Sequence, residues 1–202
     1  MTSWDDVRTA LALREPAEVT VAVETRAAVA LILREADPGL ELLFIHRAEH
    51  PADPWSGQMA FPGGRCEPGD TELRVTAIRE TAEEIGVDLS QAAEPLGRLD
   101  EIQAMARGRA LDLAITPFVF RLQRPVELRA NHEVRGVHWI PLDGLLGAEW
   151  RSTMDYTHQG QRLELPCIRA DGRVIWGLTY RMFTNLESLL AAAGEDSASE
   201  AP

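Results

Sequence analysis

Lysine is missing from the 202-residue sequence, so all 20 basic residues are arginines, set against 32 acids for a formal charge of −12 at pH 7. A surface of that sign repels polyanions, which opposes coating of a nucleic-acid polymer or an anionic membrane. A phosphate-bearing partner would need a counter-cation. Cysteine is nearly absent too: Cys66 and Cys167 are too few for a disulfide framework, and neither has a Cys or His neighbour at zinc-ligand spacing. Two free thiols in a reducing compartment are expected. The longest apolar run, Ala27 to Leu33, falls far short of the ~20 residues that span a bilayer. The amino terminus offers Trp4, Asp5 and Asp6 where a secretory leader would carry basic residues. A soluble, cytoplasmic chain is expected, as monomer or homodimer. With 45% hydrophobic and 26% charged residues it has the composition of one globular domain, not of a collagen, coiled coil or disordered chain.

Ser3 followed by Asp6, with Trp4, Val7 and Leu11 at helical spacing, predicts a short helix with a capping-box start inside residues 1–18, serving as lid or packing element. Residues 19–193 then form the main domain. Arg26–Arg34 and Glu41–Arg47 read as neighbouring buried strands around the turn residues Asp37-Pro38-Gly39. His50 to Asp70 is rich in proline and glycine and must be loop or short strand. Thr71 to Ile85 has apolar residues on one broad face and Gly86 as a stop signal, the pattern of a helix. Leu111–Leu122, Val134–Ile140 and Arg173–Trp176 read as strands, the last with Trp176 in the core. Pro141–Leu146 reads as a helical turn and Leu178–Ala193 as a closing helix. Residues 194–202 are small and acidic, and are expected as a disordered tail. Mixed strands with interspersed helices give an α/β or α+β sandwich.

On a wheel of 100° per residue, Glu80, Glu83 and Glu84 share an arc of about 100° in the last two helical turns, where the helix dipole disfavours acids. Arg79 can pair with Glu83 at i,i+4, but one guanidinium cannot neutralise three carboxylates and a carbonyl terminus together. A divalent cation can. All-oxygen donors with no His or Cys nearby select Mg²⁺ or Mn²⁺. Taken alone, the helix also fits a solvated acidic surface. His46, His50, His132, His138 and His158 form no ligand spacing.

The preceding loop changes that balance. Gly64-Arg-Cys-Glu67-Pro-Gly-Asp70 leads to Arg79-Glu80-Thr81-Ala82-Glu83-Glu84-Ile85-Gly86-Val87. This resembles the Nudix box, GX5EX7REUXEEXGU with U a bulky apolar residue. Thr81 stands where U is expected, Asp70 replaces the first glutamate, and one extra residue must be absorbed in the loop or first turn. Ser56-Gly57-Gln58-Met59-Ala60-Phe61-Pro62-Gly63-Gly64 and Ile175-Trp176-Gly177-Leu178-Thr179 resemble the coenzyme A diphosphohydrolase-like branch of that family.

The resemblance implies an α/β/α sandwich with a mixed sheet and Mg²⁺- or Mn²⁺-dependent hydrolysis of a nucleoside diphosphate linked to another group. The expected substrate is coenzyme A or acyl-coenzyme A. It implies Glu80, Glu83 and Glu84 as metal ligands with the Gly64 carbonyl, and Arg79 as their positioning partner. Glu133 falls where some relatives place a distal glutamate that binds metal or deprotonates water, so Glu83, Glu133 and Arg79 are the catalytic candidates. Arg47 and Arg65 are candidates for phosphate, Trp55 and Phe61 for a base, though each also fits a surface ion pair or loop packing. Asp70 is expected as a helix cap. ADP-ribose, a dinucleotide or a nucleoside triphosphate are alternative substrates, and a nucleotide-sensing module without catalysis or an acidic structural protein are other classes.

Overall fold

The Ser3 hydroxyl accepts from the Asp6 N–H and the Asp6 carboxylate from the Ser3 N–H, closing the capping box that starts α1 (Trp4–Ala12). The computed structural model describes residues 1–51, 53, 55–106, 108–158 and 160–199. After α1 come β1 (Thr25–Glu35), β2 (Leu40–Arg47), β3 (Met59–Ala60), β4 (Gly63–Arg65), α2 (Leu73–Ile85), α3 (Leu89–Ala92), β5 (Ala93–Arg98), β6 (Ile102–Ala106) and β7 (Arg109–Leu122). Then follow β8 (Val134–Pro141), α4 (Leu142–Leu146), a 3₁₀ turn (Ala148–Trp150), β9 (Arg151–His158), β10 (Gln161–Ala170), β11 (Arg173–Trp176) and α5 (Gly177–Ser199).

β1 explains why its apolar residues run together instead of alternating. Ala27, Val29, Leu31 and Leu33 join the core under α1 and α5, whereas Ala28, Ala30 and Ile32 join the core under α2 and α3. A strand covered on both faces needs apolar side chains at every position. Each fully buried Leu, Ile or Phe there contributes roughly 1.5–3 kcal/mol. The result is the expected α/β/α sandwich on a mixed sheet, with β1 parallel to β7 and antiparallel to its other partners.

One edge of β1 carries β7 along its length. The opposite edge is shared: β2 pairs at Leu33–Glu35 and β4 at Ala27–Val29. The sheet therefore forks along β1, and the glycine-rich β4 fills the fork. A second antiparallel sheet, β9-β10-β11, stands apart from the first.

Several boundaries differ from expectation. α2 begins at Leu73, because Glu72 is extended (φ −155°, ψ 158°) and caps without a side-chain hydrogen bond. β9 and β10 were not anticipated, since their mostly exposed polar residues carry no apolar face long enough to announce strands. α5 continues past Ala193 to Ser199 through a run of alanines that favours helix, so most of the expected tail is helical and only residues 200–202 lie outside the described ones. α1 packs against α5 and is a packing helix. Among the described residues no helix is long and apolar enough to cross a membrane. Cys66 is exposed and Cys167 buried, both as free thiols.

Candidate active site

Gly63 and Gly64 are glycines because neighbours occupy the space of a side chain. A Cβ on Gly63 would lie 2.3 Å from the Ala28 carbonyl oxygen and 2.6 Å from Val29 Cα, and its φ of +154° suits only glycine. A Cβ on Gly64 would lie 2.3 Å from Cδ of Glu80. The Gly63 N–H donates to Glu84 Oε2 at 2.9 Å. The strand in the fork thus faces two of the three helix acids at van der Waals range.

Those acids stand in different environments. The Glu84 side chain is 3% exposed, and its nearest cation is Arg47 Nη1 at 3.8 Å. Burial pushes its pKa up to about 7; the Gly63 N–H and Arg47 oppose this, while Glu80 and Glu133 add to it. Glu80, 16% exposed, is also raised by burial, against the pull of Arg79 at 2.9 Å. Glu83 is 56% exposed and leans on Arg79 at 3.3 Å.

Arg79 holds the group together. Its guanidinium donates to Asp70 at 3.2 and 3.0 Å, to Glu80 at 2.9 Å and to the Arg65 carbonyl at 3.0 Å. Hydrogen bonding to Asp70 is the largest cause keeping Arg79 firmly protonated. Asp70 is held well below the carboxylate range by Arg79, then by the Glu67 N–H and the Thr76 hydroxyl. Asp70 is therefore the anchor of Arg79 and not the expected helix cap: its oxygens are occupied before the helix begins. Thr81 fits the apolar position it replaces because its hydroxyl turns back onto the Ala77 carbonyl at 2.7 Å in a fully buried setting.

Glu133 reaches this region through the end of α2. Gly86 closes the helix in the left-handed conformation (φ 74°), and the carbonyls of Glu84 and Ile85 accept from the Asn131 and Arg129 N–H groups at 2.9 and 2.8 Å. The Ala48 N–H donates to the Glu133 carbonyl at 2.7 Å, pinning the same loop to the end of β2. The Glu133 side chain is exposed, and its charge raises the proton affinity of both Glu80 and Glu84.

A cavity of about 340 Å³ opens beside Gly63 and Gly64 and is lined by all four expected substrate residues, Arg47, Trp55, Phe61 and Arg65. Arg47 grips Asp53 through Nε at 3.0 Å and Nη2 at 2.7 Å. Phe61 stacks on Phe44 with centroids 4.8 Å apart and is nearly fully buried, so it forms wall while Trp55 keeps a partly open ring. Sequence reasoning missed Asp53, whose only signal was its place six residues after Arg47. Thr179 was read only as part of the segment 175–179 and given no role; its hydroxyl donates to the Met59 carbonyl at 2.9 Å and ties α5 to the cavity floor.

The donor set suits a hard divalent cation. Glu84 is buried and Glu80 partly buried, burial disfavours the charged form of both, and the backbone beside them is uncluttered by side chains. Arg79 draws Glu83 and Glu80 toward itself, and among the described residues no three His, Cys, Asp or Glu groups enclose a point without side-chain movement.

The NUDIX domain profile matches residues 24–159. The chain is 31% identical over 166 residues to the uncharacterized Nudix hydrolase NudL of Yersinia pestis (strain Pestoides F), covering 82% of this chain and 79% of that protein. NudL of Yersinia pseudotuberculosis serotype O:3 (strain YPIII) matches with the same identity and coverage. Among solved structures, a MutT/nudix family protein from Enterococcus faecalis superposes with a TM-score of 0.55 at 19% identity, covering 96% of this chain and 70% of that one.

Proposed function

The chain belongs to the Nudix hydrolase family, and from that premise we propose that it cleaves the pyrophosphate bond of coenzyme A or an acyl-coenzyme A with the help of Mg²⁺ or Mn²⁺. The observation that carries the reading is the pairing of the buried, proton-hungry Glu84 with the Gly63-Gly64 strand, at the edge of a cavity that presents Arg47, Arg65 and Trp55. The two segments that resemble the coenzyme A branch, 56–64 and 175–179, meet at this cavity through Gln58, Leu178 and Thr179, which favours that substrate.

Glu80, Glu83, Glu84 and the Gly64 carbonyl would hold the cation, which supplies charge neutralisation for the phosphates and a lowered pKa for bound water. Without it, unit charges 4 Å apart repel by about 4 kcal/mol at an effective dielectric near 20, enough to expel a pyrophosphate. Arg79 positions Glu80 and Glu83 and is itself aimed by Asp70. Arg47 and Arg65 would bind phosphate oxygens, and Trp55 would cover the base or the adjoining chain. Glu133 is the candidate base: its carboxylate takes the proton of the water that attacks phosphorus, the bridging P–O bond breaks, and two phosphate monoesters leave. Near-complete burial of Glu84 excludes bulk water from one side of the group, which strengthens every charge interaction there.

Mass-resolved product formation tests the reading, with coenzyme A, acetyl-coenzyme A, ADP-ribose, a diadenosine polyphosphate and a nucleoside triphosphate, each with and without Mg²⁺. Cation-dependent cleavage of coenzyme A between its phosphates is expected. Cleavage of ADP-ribose alone would move the substrate assignment, and tight nucleotide binding without any cleavage would make the chain a sensor.

A further inference from the structure

A second groove, of about 350 Å³, runs on from the substrate cavity. The two share Trp55, Gln58 and Leu178, so they adjoin along these three residues. The second groove is walled by β6 on one side and by the β9–β10 hairpin and β11 on the other, the parts of the chain whose strands the sequence pattern left unread or placed in the core.

Its chemistry differs from that of the first. Met105, Leu163 and Leu165 line it with aliphatic surface, and Arg181 is the one charged residue among its described lining. Met105 and Leu163 are 40% and 42% exposed, two of only four large apolar side chains left so open among the described residues. Apolar surface in contact with water is unfavourable by about 25 cal/mol per Å², so two such side chains facing one groove mark a place where apolar ligand surface gains most. Trp176 does not fill the core as its strand pattern suggests; it faces Tyr156 across 5.4 Å with the rings tilted by 44°. Rings so tilted offer no parallel slot between them for a nucleobase.

We propose that this groove is an annex for a hydrocarbon chain carried by the substrate, so that the enzyme selects conjugates with a long acyl group over short or unacylated ones. The proposal rests on the reading of coenzyme A conjugates as substrate and adds the end of the molecule that is recognised. Trp55 stands at the junction of the two spaces, where the polar arm of the substrate gives way to its apolar end.

The test compares kcat/KM for coenzyme A and its acetyl, hexanoyl and decanoyl thioesters, in the wild type and in Leu163→Asp and Met105→Asp. Both substituted residues are open to solvent, so the fold survives the change. The annex predicts that kcat/KM rises with chain length, by up to about fourfold per fully buried methylene, and that the decanoyl-to-acetyl ratio collapses at least tenfold in either variant. Equal kcat/KM for all four compounds would overturn the annex while leaving the cleavage reading intact. If no coenzyme A compound is cleaved, the substrate reading fails, and the annex is then decided by binding alone. Decanoyl-pantetheine, which has no phosphoanhydride, should then quench tryptophan fluorescence at concentrations at least tenfold below pantetheine, an advantage lost in Leu163→Asp; equal affinities would overturn it.

Discussion

Replacing either of two adjacent glycines by alanine separates the fold from the site. In Gly64→Ala the new methyl would sit 2.3 Å from Cδ and Oε1 of Glu80, where ordinary contact begins near 3.4 Å, so the carboxylate must retreat by about 1 Å. The obstacle is the tip of a flexible side chain. The fold therefore accommodates the change, with a stability loss within about 1 kcal/mol. The site does not: a misplacement of about 1 Å at a positioned catalytic group is worth about 10²-fold in rate. In Gly63→Ala the methyl meets backbone, the Ala28 oxygen at 2.3 Å, at a φ that only glycine adopts freely, so β4 must leave its place in the fork. The pair is assayed by thermal melting, by Mn²⁺ affinity from electron paramagnetic resonance, and by kcat on coenzyme A. Gly64→Ala should melt near the wild type with weakened Mn²⁺ binding and a hundredfold lower kcat; Gly63→Ala should melt far lower or fail to fold. A Gly64→Ala protein whose Mn²⁺ affinity and kcat stay within threefold of wild type would refute the role assigned to Glu80.

Three other outcomes follow from the charges. Glu84 has its pKa raised in the fold to about 7 from an ordinary 4.5, so the folded state binds more protons than the unfolded one across that window. Metal-free stability should then fall as pH rises from about 4.5 to 7, by up to about 3 kcal/mol; urea titrations in chelator should show the slope, and Glu84→Gln should flatten it while abolishing most Mg²⁺-dependent turnover. Asp100 behaves oppositely, held down to about 2 first by Arg14 and helped by the Ala17 N–H and Asn185. Its stabilisation is full above about pH 4 and lost as pH falls through 2. Because Arg14 is 44% exposed, solvent screening limits the effect of Asp100→Ala to about 1 kcal/mol, read as a lower melting temperature with unchanged kcat. Glu133→Gln should lower kcat by at least tenfold with KM within threefold, and stopped-assay kinetics showing an unaltered kcat would return Glu133 to the surface.

Elements whose residues obey one strong local rule were legible. The capping box at Ser3 and Asp6, the doubly buried run of β1, and the Gly86 stop of α2 each state their own structure. The acids of α2 were legible as a group because helical spacing alone puts them on one face. Their differences were not: Glu84 is enclosed and Glu83 open because β4 enters the fork beside β1 from some 20 residues upstream, and no local pattern encodes that approach. Asp70 was misread for the same reason. An acid just before a helix satisfies the capping rule, but the tertiary fold hands it Arg79 instead, and a bidentate ion pair outweighs one capping bond. The β9–β10 hairpin escaped because its sides face solvent or a groove, so it lacks the apolar alternation by which strands are found.

Under the proposed function the two sheets would divide the work. In the large sheet, β4 is pressed onto β1 at Gly63 where a methyl group would meet backbone, and onto the Glu80 side chain at Gly64, so the placement of Glu84 is set by a backbone contact and that of Glu80 by the missing side chain opposite it. The described residues of the small sheet's hairpin do not line the substrate cavity; they line the adjoining groove with side chains such as Leu163 and Leu165, of which Leu163 is largely open to solvent. Under the proposed annex a change there would alter which group fits beyond Trp55 and leave the carboxylates where they are. Under the proposed function the chemistry would be confined to segments where the sequence pattern is most rigid, and the choice of substrate to segments where it is loosest. That contrast is why the glycine pair and the helix acids are legible in the sequence while the hairpin carries no local sign of the groove that it walls.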